Sequence, residues 1–520
     1  MDRREFLEAS SVLAGGALLT RAGATDEHGP TATDEHSPTA TDEHRPTQIS
    51  AAGPTMIGMQ AGAVSFVDEG TGKVLESLQE MAAVNTIFLA TFTYGRGIAG
   101  RQVPGQPLPD HGKQEYDTAT FRGGNFASPH PQYYKNTSIK PEKAPDHGAY
   151  DVIADVLPEA HRRRMNVICW FEDVIAADVP GFESAREMVE SGPPSSFVCS
   201  RNPNVRNFWL GLVEDYLRSY DVDGLMWGSE RQGPLGSVLV ANHGGAGAGG
   251  RSACFCRYCV DAARAQGINV DRARDGYTQL GAWAAGLRPD SAGASSRPVD
   301  GAFVTFWRLL VKYPEILAWE RLWNEALNDT YRDMYRLAHE IAPAKGIGWH
   351  VWHNNSFSPF YRAEQDYTDF SRYSDFLKVV MYNLCGGERL AQYVRNVSRS
   401  LFADLAPEQV LALTYDMQQY HGQPPLDKLP AAGLSDDYVL RETKRARAGV
   451  GPNVKVWPGI DIDIPTAATS KKTQPDDVYR AVKAAFEGGA HGVLLSRKYS
   501  EMRLDNIRAA GRAVRELKRG

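Results

Sequence analysis

Asp221-Val222-Asp223-Gly224-Leu225-Met226-Trp227-Gly228-Ser229-Glu230 is a short apolar strand that ends in a carboxylate. In a closed barrel, strand side chains alternate between the interior and the surrounding helix layer. A charged residue at the C-terminal tip of such a strand therefore faces the mouth of the barrel or a surface loop. Glu230 is such a residue.

Strands of the same kind recur on either side. The pattern predicts strands at Met56–Gln60, Asn85–Phe92, Asn166–Glu172, Gly224–Glu230, Ile347–His353, Phe376–Tyr382, Val410–Tyr415, Val456–Ile462 and Gly492–Arg497. Helical patterns such as Val152–Arg164, Asn207–Ser219 and Asp476–Glu487 lie between them. Short strands alternating with helices mark a parallel sheet with crossover helices. The expected class is α/β, a (β/α)8 TIM barrel with long insertions at the C-terminal face of the strands. Nine candidates exceed the eight strands of such a barrel, so either the first or the Val410 strand is expected to be peripheral. Gly97–Gly148 and Gln232–Gly250 are the long insertions, following the second and fourth strands. Barrel enzymes build their sites from loops leaving those ends.

Downstream of Glu230 stands Cys254-Phe255-Cys256-Arg257-Tyr258-Cys259, a C-x-C-x2-C cluster. Three thiolates so closely spaced suit one tetrahedral zinc, which needs a fourth ligand. Cys199, before the helix that leads into the fourth strand, is the natural fourth. Four thiolates would make a closed, structural site. Disulfide bonding is the alternative in an oxidising compartment.

The order Cys199, Ser229-Glu230, Cys254, Cys256, Cys259 resembles that of family-42 glycoside hydrolases, mostly β-galactosidases. These have a Cys before the same helix, an Asn-Glu at the end of the fourth strand and a C-x-C-x2-C that completes a zinc site. The resemblance spans about Cys199 to Cys259. It implies that Glu230 is the catalytic acid/base and that the four cysteines hold structural zinc. Ser229 departs from the Asn that contacts the sugar 2-hydroxyl in that family. A broader resemblance, carried by Glu159–Val167, Trp170-Phe171-Glu172 and Tyr220–Gly224, is to family-10-like glycosyl hydrolases. It supports the barrel and names no substrate.

Glycosidases need a second carboxylate across the sugar from the acid. Asp461, in Val456-Trp457-Pro458-Gly459-Ile460-Asp461-Ile462-Asp463, is the expected partner, with Asp463, Asp416 and Glu172 competing. Burial or a nearby like charge must keep the acid Glu230 protonated near neutral pH. Trp170, Glu172, Trp227, His350, Tyr382 and Trp457 lie near predicted strand ends and are the expected contacts to a carbohydrate. For each Trp, core packing is the competing reading.

Arg3-Arg4-Glu5-Phe6-Leu7, an apolar run from Ala9 to Leu19 and Ala22-Gly23-Ala24 follow the order of a twin-arginine export signal with its cleavage site. Residues 1–24 are thus expected to be a signal peptide read by the twin-arginine export machinery, giving a periplasmic or secreted protein. The run is too short to span a bilayer, so no integral membrane segment is expected after cleavage. Thr25-Asp26-Glu27-His28 recurs at Thr33–His36 and Thr41–His44, each copy followed two residues later by Pro, as expected of a disordered linker over 25–53. The barrel domain is expected over 54–520. A net charge of −6, without a long basic stripe, argues against a nucleic-acid partner. The function implied is an exported glycoside hydrolase working through paired carboxylates. A carbohydrate-binding barrel that has lost activity is the alternative.

Overall fold

The computed structural model describes residues 55–116, 121–244, 252–287 and 298–517. The expected export signal and linker lie outside the described residues. Eight strands run in parallel: β1 (Met56–Ala61), β2 (Thr86–Thr93), β3 (Asn166–Glu172), β4 (Gly224–Gly228), β5 (Gly346–Val351), β6 (Phe376–Val380), β7 (Lys455–Asp461) and β8 (Gly492–Ser496). Each pairs with the next, and β8 pairs with β1, with Ile57 opposite Val493, so the sheet closes. Closure satisfies every strand edge. The (β/α)8 barrel expected from the sequence is the fold. Among the described residues no helix is long and apolar enough to cross a membrane.

Alternation along each strand sorts the side chains. Ile168, Trp170, Met226, Phe88, Phe376 and Leu494 point inward and pack together, with Trp457 against them. Their neighbours Phe171, Trp227 and Trp349 point outward into the larger core between strands and helices. Trp227 meets Tyr331, on the helix Glu315–Ile341, edge-on at 4.8 Å, and Trp209, on the helix Pro203–Ser219, at 5.5 Å. The interior is filled because large and small residues alternate. A Cβ at Gly348 would sit 2.3 Å from the Phe376 ring, and one at Gly459 would sit 2.7 Å from the Lys378 Cε.

The peripheral ninth candidate is the Val410 segment, and it is not a strand. It lies in the helix Pro407–Gln418. Pro407 occupies the first turn, where its missing N–H costs nothing, and the Gln409 side chain accepts from the Ala406 N–H at 2.9 Å. Val410, Leu411 and Thr414 are buried on one face. A short apolar run carries no period long enough to separate strand from helix. Three predicted strands also end early. Glu230 lies two residues beyond β4, His353 begins a 3-10 turn, and Tyr382 precedes the helix Asn383–Val397.

Candidate active site

The inward alternation continues past the apolar layer and turns polar. Above Trp170 comes Glu172; above Met226 and Gly228 comes Glu230; above Gly348 comes His350; above Phe376 comes Lys378; above Gly459 comes Asp461. Five strands thus deliver titratable groups to one end of the barrel, the C-terminal face. His350 Nε2 lies 2.9 Å from Glu230 Oε1, and its Nδ1 lies 3.1 Å from Lys378 Nζ. Lys378 also donates to the Tyr382 hydroxyl at 2.6 Å. Because the ammonium can only donate, Nδ1 accepts, and Nε2 carries the proton given to Glu230. The result is a chain from Tyr382 through Lys378 and His350 to Glu230.

The two glutamates are pushed in opposite directions. Burial, and then the negative charge of Glu230, raise Glu172 to about 8, against the opposing charges of Arg497 and Lys378. At Glu230 burial is the largest single influence and raises the pKa, but the His350 hydrogen bond and charge, with the charges of Arg389 and His243, together outweigh it and lower the pKa to about 2. The Glu230 side chain is 53% exposed in the mouth, and solvent there screens part of those influences. Their direction leaves an ionised carboxylate. The expectation that the environment keeps Glu230 protonated is therefore not met at Glu230; it is met at Glu172. Lys378 is fully buried, and burial brings it down to about 7, with the charges of Glu230 and Glu172 opposing.

Asp461 does reach the inner face but is 1% exposed. It accepts from the backbone N–H groups of Cys385 at 2.8 Å and Ile464 at 3.3 Å, and so ties the first turn of the helix Asn383–Val397 to the loop after β7. Burial raises it to about 6, those hydrogen bonds opposing. Asp463 bonds Arg503 and Asn506, and Asp416 is exposed on the helix Pro407–Gln418. Neither joins the glutamates.

The aromatic expectations divide. Trp227 is outside the barrel wall and 1% exposed. Trp170 is 1% exposed in the interior layer below Glu172, and Trp457 stacks on Phe376 at 4.2 Å in that same layer. These three rings pack the core because their places in the alternation lie below the mouth or outside it. Tyr382 is buried, with its hydroxyl on Lys378. Trp352, just past β5, is the half-buried ring near the site, 5.2 Å from His243. Lys378, Arg389 and His243 were not singled out for the site by sequence reasoning. A lysine in the middle of the apolar strand Phe376-Leu377-Lys378-Val379-Val380 was the available signal, since an unpaired buried charge has no structural use.

Ser229 is 1% exposed and donates to Asp173 at 2.9 Å. Next to Glu230, Arg231 is buried and bonds Glu187 at 2.5 Å and the Val198 carbonyl at 2.8 Å. That clamp leads to the cysteines. Cys199 follows Val198, and the Met188 N–H approaches Cys254 Sγ at 3.4 Å. The sulfurs of Cys199, Cys254, Cys256 and Cys259 all lie within 4.8 Å of one another, all buried. Cys199 is 3.6 Å from both Cys256 and Cys259. Disulfide sulfurs sit about 2.05 Å apart, so these are free thiols, and the cluster can hold a metal ion.

No protein-family model matches the chain, and no curated protein matches it in sequence. Among solved structures the chain is similar to the PgaB (BpsB) glycoside hydrolase domain from Bordetella bronchiseptica, at 10% identity and a TM-score of 0.46, covering 89% of this chain and 98% of that one. It is also similar to the β-galactosidase of the psychrophilic Marinomonas ef1, at 10% identity, TM-score 0.48, over 89% of this chain and 59% of that one. For the β-galactosidase of the Antarctic haloarchaeon Halorubrum lacusprofundi the figures are 13%, 0.47, 89% and 58%. The chain thus spans less than two thirds of the length of either β-galactosidase. Identities this low transfer no residue roles. The chain is a (β/α)8 barrel, similar in fold to these glycoside hydrolases.

Proposed function

We propose that the protein hydrolyses glycosidic bonds at the barrel mouth, with Glu172 as general acid and Glu230 as its ionised partner. One observation carries the reading: carboxyl groups at the ends of neighbouring strands are pushed to opposite protonation states, Glu172 up to about 8 and Glu230 down to about 2. Two carboxyls with opposed environments divide into an acid and a base or nucleophile. Glu172 gives its proton to the departing oxygen as the bond to the anomeric carbon breaks. Glu230 faces the positive charge that develops there. It either bonds that carbon or takes the proton of the water that does. His350 holds the Glu230 carboxylate in place. This keeps Glu230 at the centre of the chemistry but exchanges its expected role with Glu172, and leaves Asp461 to position loops.

The test is hydrolysis of a panel of glycans and aryl glycosides by the mature protein beside Glu172→Gln and Glu230→Gln. Each variant should lose at least about a hundredfold on natural glycans. On an aryl glycoside whose phenolate leaves unaided, Glu172→Gln should retain most of its activity and Glu230→Gln should not. Full activity in either variant on natural glycans removes that residue from the mechanism. Binding without turnover in the parent would leave a carbohydrate-binding barrel.

The four cysteines fit structural zinc. Tetrahedral zinc with bonds of about 2.3 Å places its sulfurs about 3.8 Å apart, close to the 3.6 Å separations here. The metal would hold the segment around Val198 against which Arg231 braces. Twin-arginine export, supported by Arg3-Arg4 and the apolar run after them, would deliver the folded, metal-loaded protein to the periplasm or beyond.

A further inference from the structure

A cavity of about 640 Å3 is lined by Arg389, Gln392 and Arg395 from the helix Asn383–Val397, with Gln106, His243 and Glu388, and two of these, Arg389 and His243, act on the Glu230 carboxylate. The three helix residues follow at intervals of three and share a face. The volume is within the usual range for a small-molecule site. Its charge is unusual. Among the described residues, neither Arg389 nor Arg395 forms an ion pair with a carboxylate; Arg389 meets the His353 imidazole at 3.1 Å and lies over the Tyr382 ring at 5.8 Å, and the charges of Glu230 and Asp461 reach it only through space. Glu388, the acidic residue in the lining, accepts instead from the Ala467 N–H at 3.1 Å. Across the mouth Arg497 is likewise unpaired, and its buried Nε has no partner. Arg395 is exposed, but Arg389 and Arg497 are partly buried, and recessed guanidinium groups are normally matched by carboxylates or phosphates. The surrounding imidazoles register the excess. Burial and then Arg389 hold His243 down to about 3, and the same two influences lower His353.

We propose that the glycan taken by this mouth carries an anionic substituent, a ring carboxylate or a sulfate, held in the cavity by Arg389 and Arg395 with Gln392. The inference rests on the reading of the mouth as a glycan site. It adds that neutral sugars lack the group the cavity is built to pair. A carboxylate or sulfate accepts two parallel N–H bonds from one guanidinium, and Gln392 can donate a third. The ring beside that substituent then lies next to Glu230, since Arg389 and His243 both act on the Glu230 carboxylate.

The experiment is calorimetric binding to the full protein at low and moderate salt. The probes are oligogalacturonate and oligoglucuronate tetrasaccharides, their carboxyl-reduced forms, and a sulfated galactan tetrasaccharide. At least one charged probe should bind about tenfold or more tighter than its neutral counterpart, the scale of one charge-assisted pair, and the margin should shrink with salt. Whether uronate or sulfate is preferred identifies the anion. Arg395→Gln, at an exposed position, should remove most of that margin and leave neutral binding unchanged; Arg389→Gln should also remove most of the margin. If Arg389→Gln misfolds through loss of its His353 contact, Arg395→Gln still decides. Equal binding of charged and neutral probes, no binding of any charged probe, or full charged-probe binding in folded variants overturns the proposal. Binding is read without turnover, so the two readings fail separately. Tight charged-glycan binding without hydrolysis removes the glycosidase and keeps this site. Hydrolysis of neutral glycans with no preference for charge does the reverse.

Discussion

His350 donates from Nε2 to Glu230 Oε1 at 2.9 Å while its Nδ1 accepts from Lys378 at 3.1 Å. The second bond selects the tautomer that makes the first possible. Removing the imidazole takes away the largest influence that lowers the Glu230 pKa. His350→Phe should therefore shift the acid limb of the kcat profile to higher pH, because Glu230 must be ionised to work. kcat on the plateau should fall about 10- to 100-fold as the carboxylate loses its orientation. A profile unmoved on its acid side would show that His350 does not act through Glu230.

In the proposed mechanism the controlling group on the alkaline side is Glu172. As an acid it works only while protonated, so activity should be lost as pH rises through about 8. Part of that elevation comes from the charge of Glu230. In Glu230→Gln the like charge is gone, and the alkaline limb of the residual activity should move below that of the parent. Parallel pH profiles of parent and variant on one substrate check both statements.

Metal analysis of the purified protein should find one zinc per chain. Cys256→Ser, or stripping the metal with a chelator in mild denaturant, should lower Tm by at least about 5 °C, since metal binding contributes directly to folding. Activity should fall with it, because the segment that anchors Arg231 loses its brace. Metal-free protein with an unchanged melting curve would remove the structural role.

Two tryptophans should separate packing from binding. Trp227→Ala should cost about 3–5 kcal/mol in urea unfolding, the usual range for emptying a buried indole site. Trp352→Ala, beside His243 in the mouth, should leave unfolding nearly unchanged and raise KM. The opposite pattern would place the substrate outside the barrel wall.

The barrel itself was legible from the strands because each is a short apolar run between helical patterns, a local property. The Val410 segment misled for the same reason. Six apolar-rich residues read alike as strand or helix until Pro407 and the packing of Val410, Leu411 and Thr414 on one face decide it. The cysteine cluster was legible because three of its four cysteines sit within six residues, and the structure brings Cys199 to them. Trp170, Trp227 and Trp457 were assigned to the mouth because nearness to a strand end was read without depth or facing. One step along a strand changes the face, and two steps change the layer.

Sequence alone determined the strand–helix alternation, the C-terminal placement of Glu172 and Glu230, and the thiol set, because each depends on neighbours along the chain. Tertiary structure decided which carboxyl keeps its proton. That depends on burial, on the Glu230 charge beside Glu172, and on His350, which is 120 residues from Glu230 in the chain. Electrostatic influence falls with distance through space and with solvent access, and neither is a property of a sequence position.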